Sequence, residues 1–190
     1  VIGHHQSHAA NAFYSSNFDK ALVVTIDGGG FDPIADVEYQ TLADYNDRNM
    51  TTTFTVWEGD GNKLNKGHIF PIGQINIGGV WTRCTSYILK LQSGWPRGHQ
   101  AGTVMAMAAI GNPDKFRADF YQMLKHDSMS VSFKPPGQPR GAYTGNDPKH
   151  PYLNKWAELA ETDEQTRYDL AAGLQSATEQ YMKELFTTIL

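Results

Sequence analysis

Two histidines, His4 and His8, stand four residues apart in the opening segment Gly3-His4-His5-Gln6-Ser7-His8. On a helix this spacing puts both imidazoles on one face, one turn apart, where they can converge on a single metal ion, while His5 points elsewhere. A zincin-type protease is disfavoured, because His5 occupies the place of the general-base glutamate that should follow the first histidine. Alone, the pair is equally well read as a polar surface helix. A second feature offers a carboxylate: Asp27-Gly28-Gly29-Gly30 follows directly on the apolar run Ala21-Leu22-Val23-Val24-Thr25-Ile26. An aspartate at the mouth of a buried strand can hold a metal ion or its water, and glycines let backbone N–H groups approach phosphate oxygens. By itself an Asp-Gly pair is an ordinary strand-end turn. Next to a histidine pair so close in sequence, the site reading gains.

The elements that must position these groups follow from pattern. His4 to Ser15, rich in alanine and small residues, predicts a short helix. Ala21 to Ile26 predicts a buried strand ending abruptly at Asp27. A second strand is expected over Thr51 to Glu58, where Thr52, Phe54 and Val56 alternate with Thr51, Thr53 and Thr55. Gly59-Asp60-Gly61-Asn62 is turn chemistry, with Lys63 to Ile72 returning as the hairpin partner. The period then changes: Val80, Cys84, Ile88 and Leu91 fall at helical spacing. A Gly- and Pro-containing loop from Ser93 to Gly102 precedes the apolar run Val104 to Ile110. Asn112 and Pro113 mark a helix start, followed by Phe116, Phe120 and Leu124 on one face. Lys134 to Pro151 reads as irregular loop. Thr162-Asp163-Glu164-Gln165 is a capping-box pattern, behind which Ala171, Leu174, Thr178, Tyr181 and Leu185 repeat helically. Strand, hairpin, then helices define a mixed α/β (α+β) unit.

Composition bounds the function. With 190 residues and 40% hydrophobic content, the chain can build one domain or a large part of one. It has no apolar run of the roughly 18–20 residues a membrane helix needs, and no signal peptide. A net charge of -4 argues against nucleic-acid and anionic-membrane partners. Cys84 is the lone cysteine, which suits a reducing, cytoplasmic setting. The start at Val1 and a helix reaching Leu190 without a stop signal suggest a piece of a longer polypeptide, whose remainder is then its first partner. On that view residues 1–190 are a single partial domain.

The run HHQSHAANAFYSSNFDKALVVTIDGGG resembles the metal-site region of the NodU/CmcH carbamoyltransferase family, with its HH-x-x-HA-A-x-AF segment, apolar strand and T-[IV]-DG. The likeness continues through TTTFTVWEGDGNKL, VMAMAAIGNPDKF and DLAAGLQSATEQ, in the family's order and over nearly the whole chain. It implies part of an actin/Hsp70-like (ASKHA) nucleotide-binding fold, whose other members act in tRNA threonylcarbamoylation and hydrogenase maturation. It implies an enzyme that makes carbamoyl-adenylate from carbamoyl phosphate and ATP and passes the carbamoyl group to a small-molecule acceptor. Carried over onto this chain, His4 and His8 are ligands of a divalent metal. Iron is implied first, and imidazole and oxygen ligands also admit Mn, Zn or Mg. Asp27 is the acidic residue beside metal and phosphates, and Gly28, Gly29 and Gly30 are the phosphate-approach residues. The family often has a lysine where Thr103 stands, and Phe31–Met50 and Lys134–His150 look like insertions. The alternatives are a non-catalytic nucleotide-binding module of the same fold and a tRNA-modifying relative.

Other polar residues carry weaker expectations. Arg83, Lys90, Arg97 and Arg140 can meet phosphate or acceptor, but isolated basic residues are ordinarily just solvated. His99 in its loop is ordinary loop polarity before it is a substrate contact, and His68, His126 and His150 have no partner spacing. Trp57, Trp81, Trp95 and Trp156 read as core or interface aromatics, and Cys84 as inert core.

Overall fold

Helix α1 covers His4–Tyr14; Ala9, Ala10 and Ala12 favour it, and His5, Ala9 and Phe13 form its buried face. The computed structural model describes residues 2–32, 51–71, 75–91, 100–126 and 152–190. In it α1 packs on an antiparallel sheet of three strands in the order β1-β2-β3. β1 is Lys20–Phe31, β2 Thr51–Asp60 and β3 Lys63–Pro71. Ala9, Phe13, Val23 and Trp57 form the core between helix and sheet, with Ala21 and Leu64 half-buried against it. Gly59 makes room for this packing, since a Cβ there would lie 2.4 Å from the Phe13 ring.

The hairpin forms where the turn residues place it. Asp60 pairs with Lys63 across Gly61 and Asn62. Gly61 has φ 59°, the left-handed conformation that glycine adopts at no steric cost. The Tyr14 hydroxyl donates to the Asn62 carbonyl at 3.1 Å and Gly61 N–H to the Asp19 carbonyl at 2.8 Å, tying the loop to its neighbours.

Two strand features differ from the pattern-based expectation. β1 does not end at Asp27 but runs on to Phe31. Ile26 pairs with Phe54 and Gly30 with Thr52, four steps on β1 against two on β2, so Asp27 lies in an irregularity within the strand. Extra residues in one strand bend it and re-aim side chains, and glycines accept the bend. The second difference is burial: Thr52, Phe54 and Val56 are buried, and so are Thr53, Thr55 and Trp57 on the opposite face. Thr53 and Thr55 tolerate this because their hydroxyls find partners, Thr55 with Thr25 and Thr53 with the Ile75 carbonyl.

The chain divides into two compact units, 1–76 and 77–190, and the second is helical. Helix α2, Ile77–Arg83, continues as a π-helical turn over Cys84–Ile88, with Val80, Cys84 and Ile88 buried. Lys90 ends it at φ 51°. Then come α3 (Ala101–Ala108), a 3-10 turn (Pro113–Lys115), α4 (Arg117–His126), α5 (Tyr152–Thr162) and α6 (Glu164–Ile189). Asn112 caps the short 3-10 turn, not a long helix, and α4 starts later, with Phe120 and Leu124 buried on it. Asp163, not Thr162, caps α6, accepting from the Gln165 and Thr166 N–H groups, while Thr162 closes α5. The Phe116 and Phe120 rings each lie 5.2 Å from Trp156, and Leu170, Leu174, Ala177 and Tyr181 line the buried stripe of α6. Of the proposed insertions, residues 33–50 and 134–150 lie outside the described residues.

A buried carboxylate keys the second unit together. Asp169 on α6 accepts from Asn112 N–H at 2.8 Å, the Gln165 amide at 2.9 Å and the Lys115 ammonium at 2.5 Å. Burial alone would push its carboxyl up, but the hydrogen bonds from Lys115, Asn112 and Gln165 outweigh that and hold it below its ordinary value. A carboxyl depressed in the folded state stabilises fully above its unfolded value of about 3.9, and the contribution fades as pH falls through the folded value. Asp169→Asn is therefore expected to lose roughly 1–3 kcal/mol at neutral pH. Melting curves of both proteins from neutral pH to about pH 3 should converge on the acid side. A gap that stays constant with pH overturns the assignment.

Candidate metal centre

The first turns of α1 lie over the irregular part of β1, and this brings the three sequence-predicted ligand residues together. His4 Nε2 is 2.5 Å from Asp27 Oδ2, His8 Nε2 is 3.3 Å from the same oxygen, and the two Nε2 atoms are 3.3 Å apart. The rings of His4 and His8 stand edge to face, 4.7 Å between centroids. Among the described residues no other group of three His, Cys, Asp or Glu side chains offers ligand atoms this close together. All three remain partly exposed, at 39%, 55% and 38% for His4, His8 and Asp27, so an ion or substrate can reach them.

The donor set fits a first-row divalent cation. Atoms bound about 2.1 Å from one ion in tetrahedral or octahedral arrangement lie roughly 3.0–3.4 Å from one another. Two edges of the triangle meet that spacing at 3.3 Å, and the third is a short hydrogen bond between His4 and Asp27. Partial burial raises the Asp27 carboxyl, but the hydrogen bonds from His4 and Gly28 N–H, then the His4 charge and the His8 hydrogen bond, bring it net below its usual value. It is ionised at neutral pH, as a group able to hold a cation would have to be.

The glycines divide in role. Gly28 has nothing among the described residues within 4 Å of where a Cβ would stand, and its N–H turns to Asp27 Oδ1. Gly29 continues β1. Gly30 is buried under the His4 ring, where a Cβ would fall 2.0 Å from His4 Cδ2.

His5 points the other way, fully buried, with Nδ1 2.5 Å from Thr25 Oγ1 and Nε2 3.0 Å from the Thr52 carbonyl. Burial holds its imidazole below the ordinary histidine value. Asp32, buried beside it, was not visible as a site residue from sequence; its carboxylate accepts from the His5 and Gln6 N–H groups. No motif spacing signals such a contact, because it joins residues 27 apart in the chain.

The remaining candidates stand apart from the cluster. Arg83 is buried, not solvated, and Lys90 is exposed and paired with Glu161. Cys84 is buried and its thiol is pushed up by burial. Trp57 and Trp156 are core, and half-buried Trp81 donates to Thr178 Oγ1 at 2.9 Å. His68 is exposed, and Thr103 is exposed and donates to Gln100. Trp95, Arg97, His99, Arg140 and His150 lie outside the described residues, as does the side chain of His126.

The fold and the cluster together define a mixed α+β protein with a solvent-reachable His–His–carboxylate triangle on its three-stranded sheet. The chain belongs to the carbamoyltransferase N-terminus family, whose model matches residues 1–189. No curated protein matches the chain. Among the described residues no helix is long and apolar enough to cross a membrane.

Proposed function

We propose that this chain is the metal- and nucleotide-handling part of an ATP-dependent O-carbamoyltransferase on an actin/Hsp70-like fold. The observation that carries the reading is the convergence of His4 Nε2, His8 Nε2 and Asp27 Oδ2 within 4.8 Å, in a chain of the carbamoyltransferase N-terminus family. Carbamoyl phosphate and ATP give carbamoyl-adenylate; atom balance consumes one water and releases orthophosphate and pyrophosphate. An acceptor hydroxyl then attacks the carbamoyl carbon, and AMP leaves. His4, His8 and Asp27 would hold a divalent ion, iron first and Mn, Zn or Mg as alternatives, which when bound supplies charge neutralisation at phosphate oxygens. Asp27 keeps its negative charge at neutral pH and draws the two imidazoles toward itself. The open side of Gly28 lets a phosphate approach the backbone closely.

The test is the intact polypeptide with ATP and carbamoyl phosphate, assayed for metal content, orthophosphate and pyrophosphate. Release of both, dependent on the metal, supports the reading. ATP binding by calorimetry without phosphate release would instead indicate a non-catalytic module, and transfer to tRNA over small hydroxyl acceptors a tRNA-modifying relative.

Gly28 gives a sharper test. Among the described residues nothing surrounds its Cβ position and its φ is not in the left-handed region, so Gly28→Ala should leave the melting temperature close to wild type. A methyl there blocks backbone approach, and ATP affinity should fall roughly 2–10-fold, the equivalent of about one hydrogen bond. Unchanged ATP affinity by calorimetry would remove Gly28 from the phosphate site.

A further inference from the structure

Helix α1 begins without a side-chain cap of its own: Gly3 stands at the N-cap and has no side chain to offer. Gln6 Oε1 reaches back to Gly3 N–H at 3.4 Å, a long contact. The first-turn donors are met instead by Asp32, 1% exposed, whose Oδ2 accepts from His5 N–H at 3.0 Å and Oδ1 from Gln6 N–H at 3.1 Å. A carboxylate at a helix N-terminus is favoured by both the free N–H groups and the dipole. The cap therefore comes from the residue just past β1, the strand that carries Asp27.

A second anchor runs from the His5 side chain into the sheet. Trp57 Nε1–H is 2.6 Å from Thr55 Oγ1, which is 2.6 Å from Thr25 Oγ1, which is 2.5 Å from His5 Nδ1; His5 Nε2 is 3.0 Å from the Thr52 carbonyl. The indole can only donate and the carbonyl can only accept. Thr55 thus accepts from Trp57 and donates to Thr25, Thr25 donates to His5 Nδ1, and His5 Nε2–H donates to Thr52. Every proton in the chain has one place, and the His5 ring is fixed in one tautomer and one orientation.

We infer that Asp32 and His5 are the positioning residues of the His4–His8–Asp27 cluster. Asp32 sets where α1 starts along the sheet, and the His5 relay sets how the helix is rotated on it. Because His4 and His8 flank His5 on the same helix, the two constraints together deliver both imidazoles to Asp27. Neither Asp32 nor His5 is a ligand in this scheme. The inference rests on the metal reading proposed above.

The test uses Co(II) as probe in the intact polypeptide, with affinity from chelator competition and the visible absorption of the bound ion as a second readout. The variants are Asp32→Asn, which sets an amide N–H against a backbone N–H, and Thr25→Val, a near-isosteric change that breaks the relay. Asp169→Asn, a buried carboxylate change in the other unit, is the control for general destabilisation. Wild type should bind one Co(II), and both test variants should bind it roughly 10–100-fold more weakly with an altered spectrum, the range for lost outer-shell support. The control should lose melting temperature and keep wild-type affinity and spectrum. Wild-type affinity and spectrum in Asp32→Asn and Thr25→Val, whatever their melting temperatures, overturn the positioning role while leaving the metal site standing. Should Asp32→Asn not fold, Thr25→Val decides. Absence of Co(II) binding in wild type overturns the metal reading and this inference with it.

Discussion

Changing His4 and His8 to alanine together is expected to abolish both stoichiometric metal and carbamoyl transfer. The double change removes two of the three converging ligand atoms and leaves Asp27 Oδ2 alone. A single partly exposed carboxylate holds a divalent ion only weakly, because most of the hydration shell must then be kept. The loss in affinity should therefore exceed the roughly 10–100-fold that accompanies damage to outer-shell residues. Stability should change little, since both side chains are exposed and face away from the Ala9–Phe13 core. Metal content after desalting, a transfer assay and a melting curve on the same preparation separate these effects. Full transfer activity with a normal melting curve in the double variant sinks the catalytic reading. Loss of activity accompanied by unfolding would contradict the peripheral placement of the two rings.

The parts of the fold legible in sequence are those set by local period and turn chemistry. His4 and His8 share a helix face because the segment is helical for reasons internal to it, and Asp27 comes directly after the β-forming run Ala21–Ile26 of β1. Those two facts, joined to the family resemblance, single out the three residues that the structure brings together. The hairpin was legible for the same reason, through Gly61 and its neighbours. What escaped depends on long-range pairing. That β1 resumes after the glycines is decided by Thr51 and Thr52 on the partner strand, not by anything in Asp27–Gly30 itself. Asp32 falls in the stretch that resembled an insertion, and its role exists only because the resumed strand carries it under α1. Helix α5 is a different kind of miss: Leu153, Trp156, Ala157 and Ala160 do lie at helical spacing and are buried. Their period stands close behind the proline-rich stretch and just before a strong capping signal, so the local pattern places the helix start at Thr162.

Gly30→Ala should cost the cluster its first ligand, for a reason unrelated to phosphate. A Cβ at position 30 would lie 2.0 Å from His4 Cδ2, 2.1 Å from Cγ and 2.5 Å from Cβ. Rotation of the His4 ring relieves the first two contacts and cannot relieve the third, because Cβ moves only with the backbone. The first turn of α1 must then shift, and that turn is held by the Asp32 carboxylate and the buried His5 ring. The expected result is a loss of roughly 1–3 kcal/mol in stability, as for other overpacked sites, together with at least a tenfold loss in metal affinity. Chelator competition and thermal melts measure the two. The contrast with Gly28→Ala is what makes the pair informative: one glycine has open space on its free side among the described residues and the other has the His4 ring against it. If Gly30→Ala keeps its metal and weakens ATP instead, then the glycine run faces phosphate throughout and His4 is not seated on Gly30. If Gly28→Ala weakens ATP while Gly30→Ala weakens metal, the two halves of the run serve two different ligands.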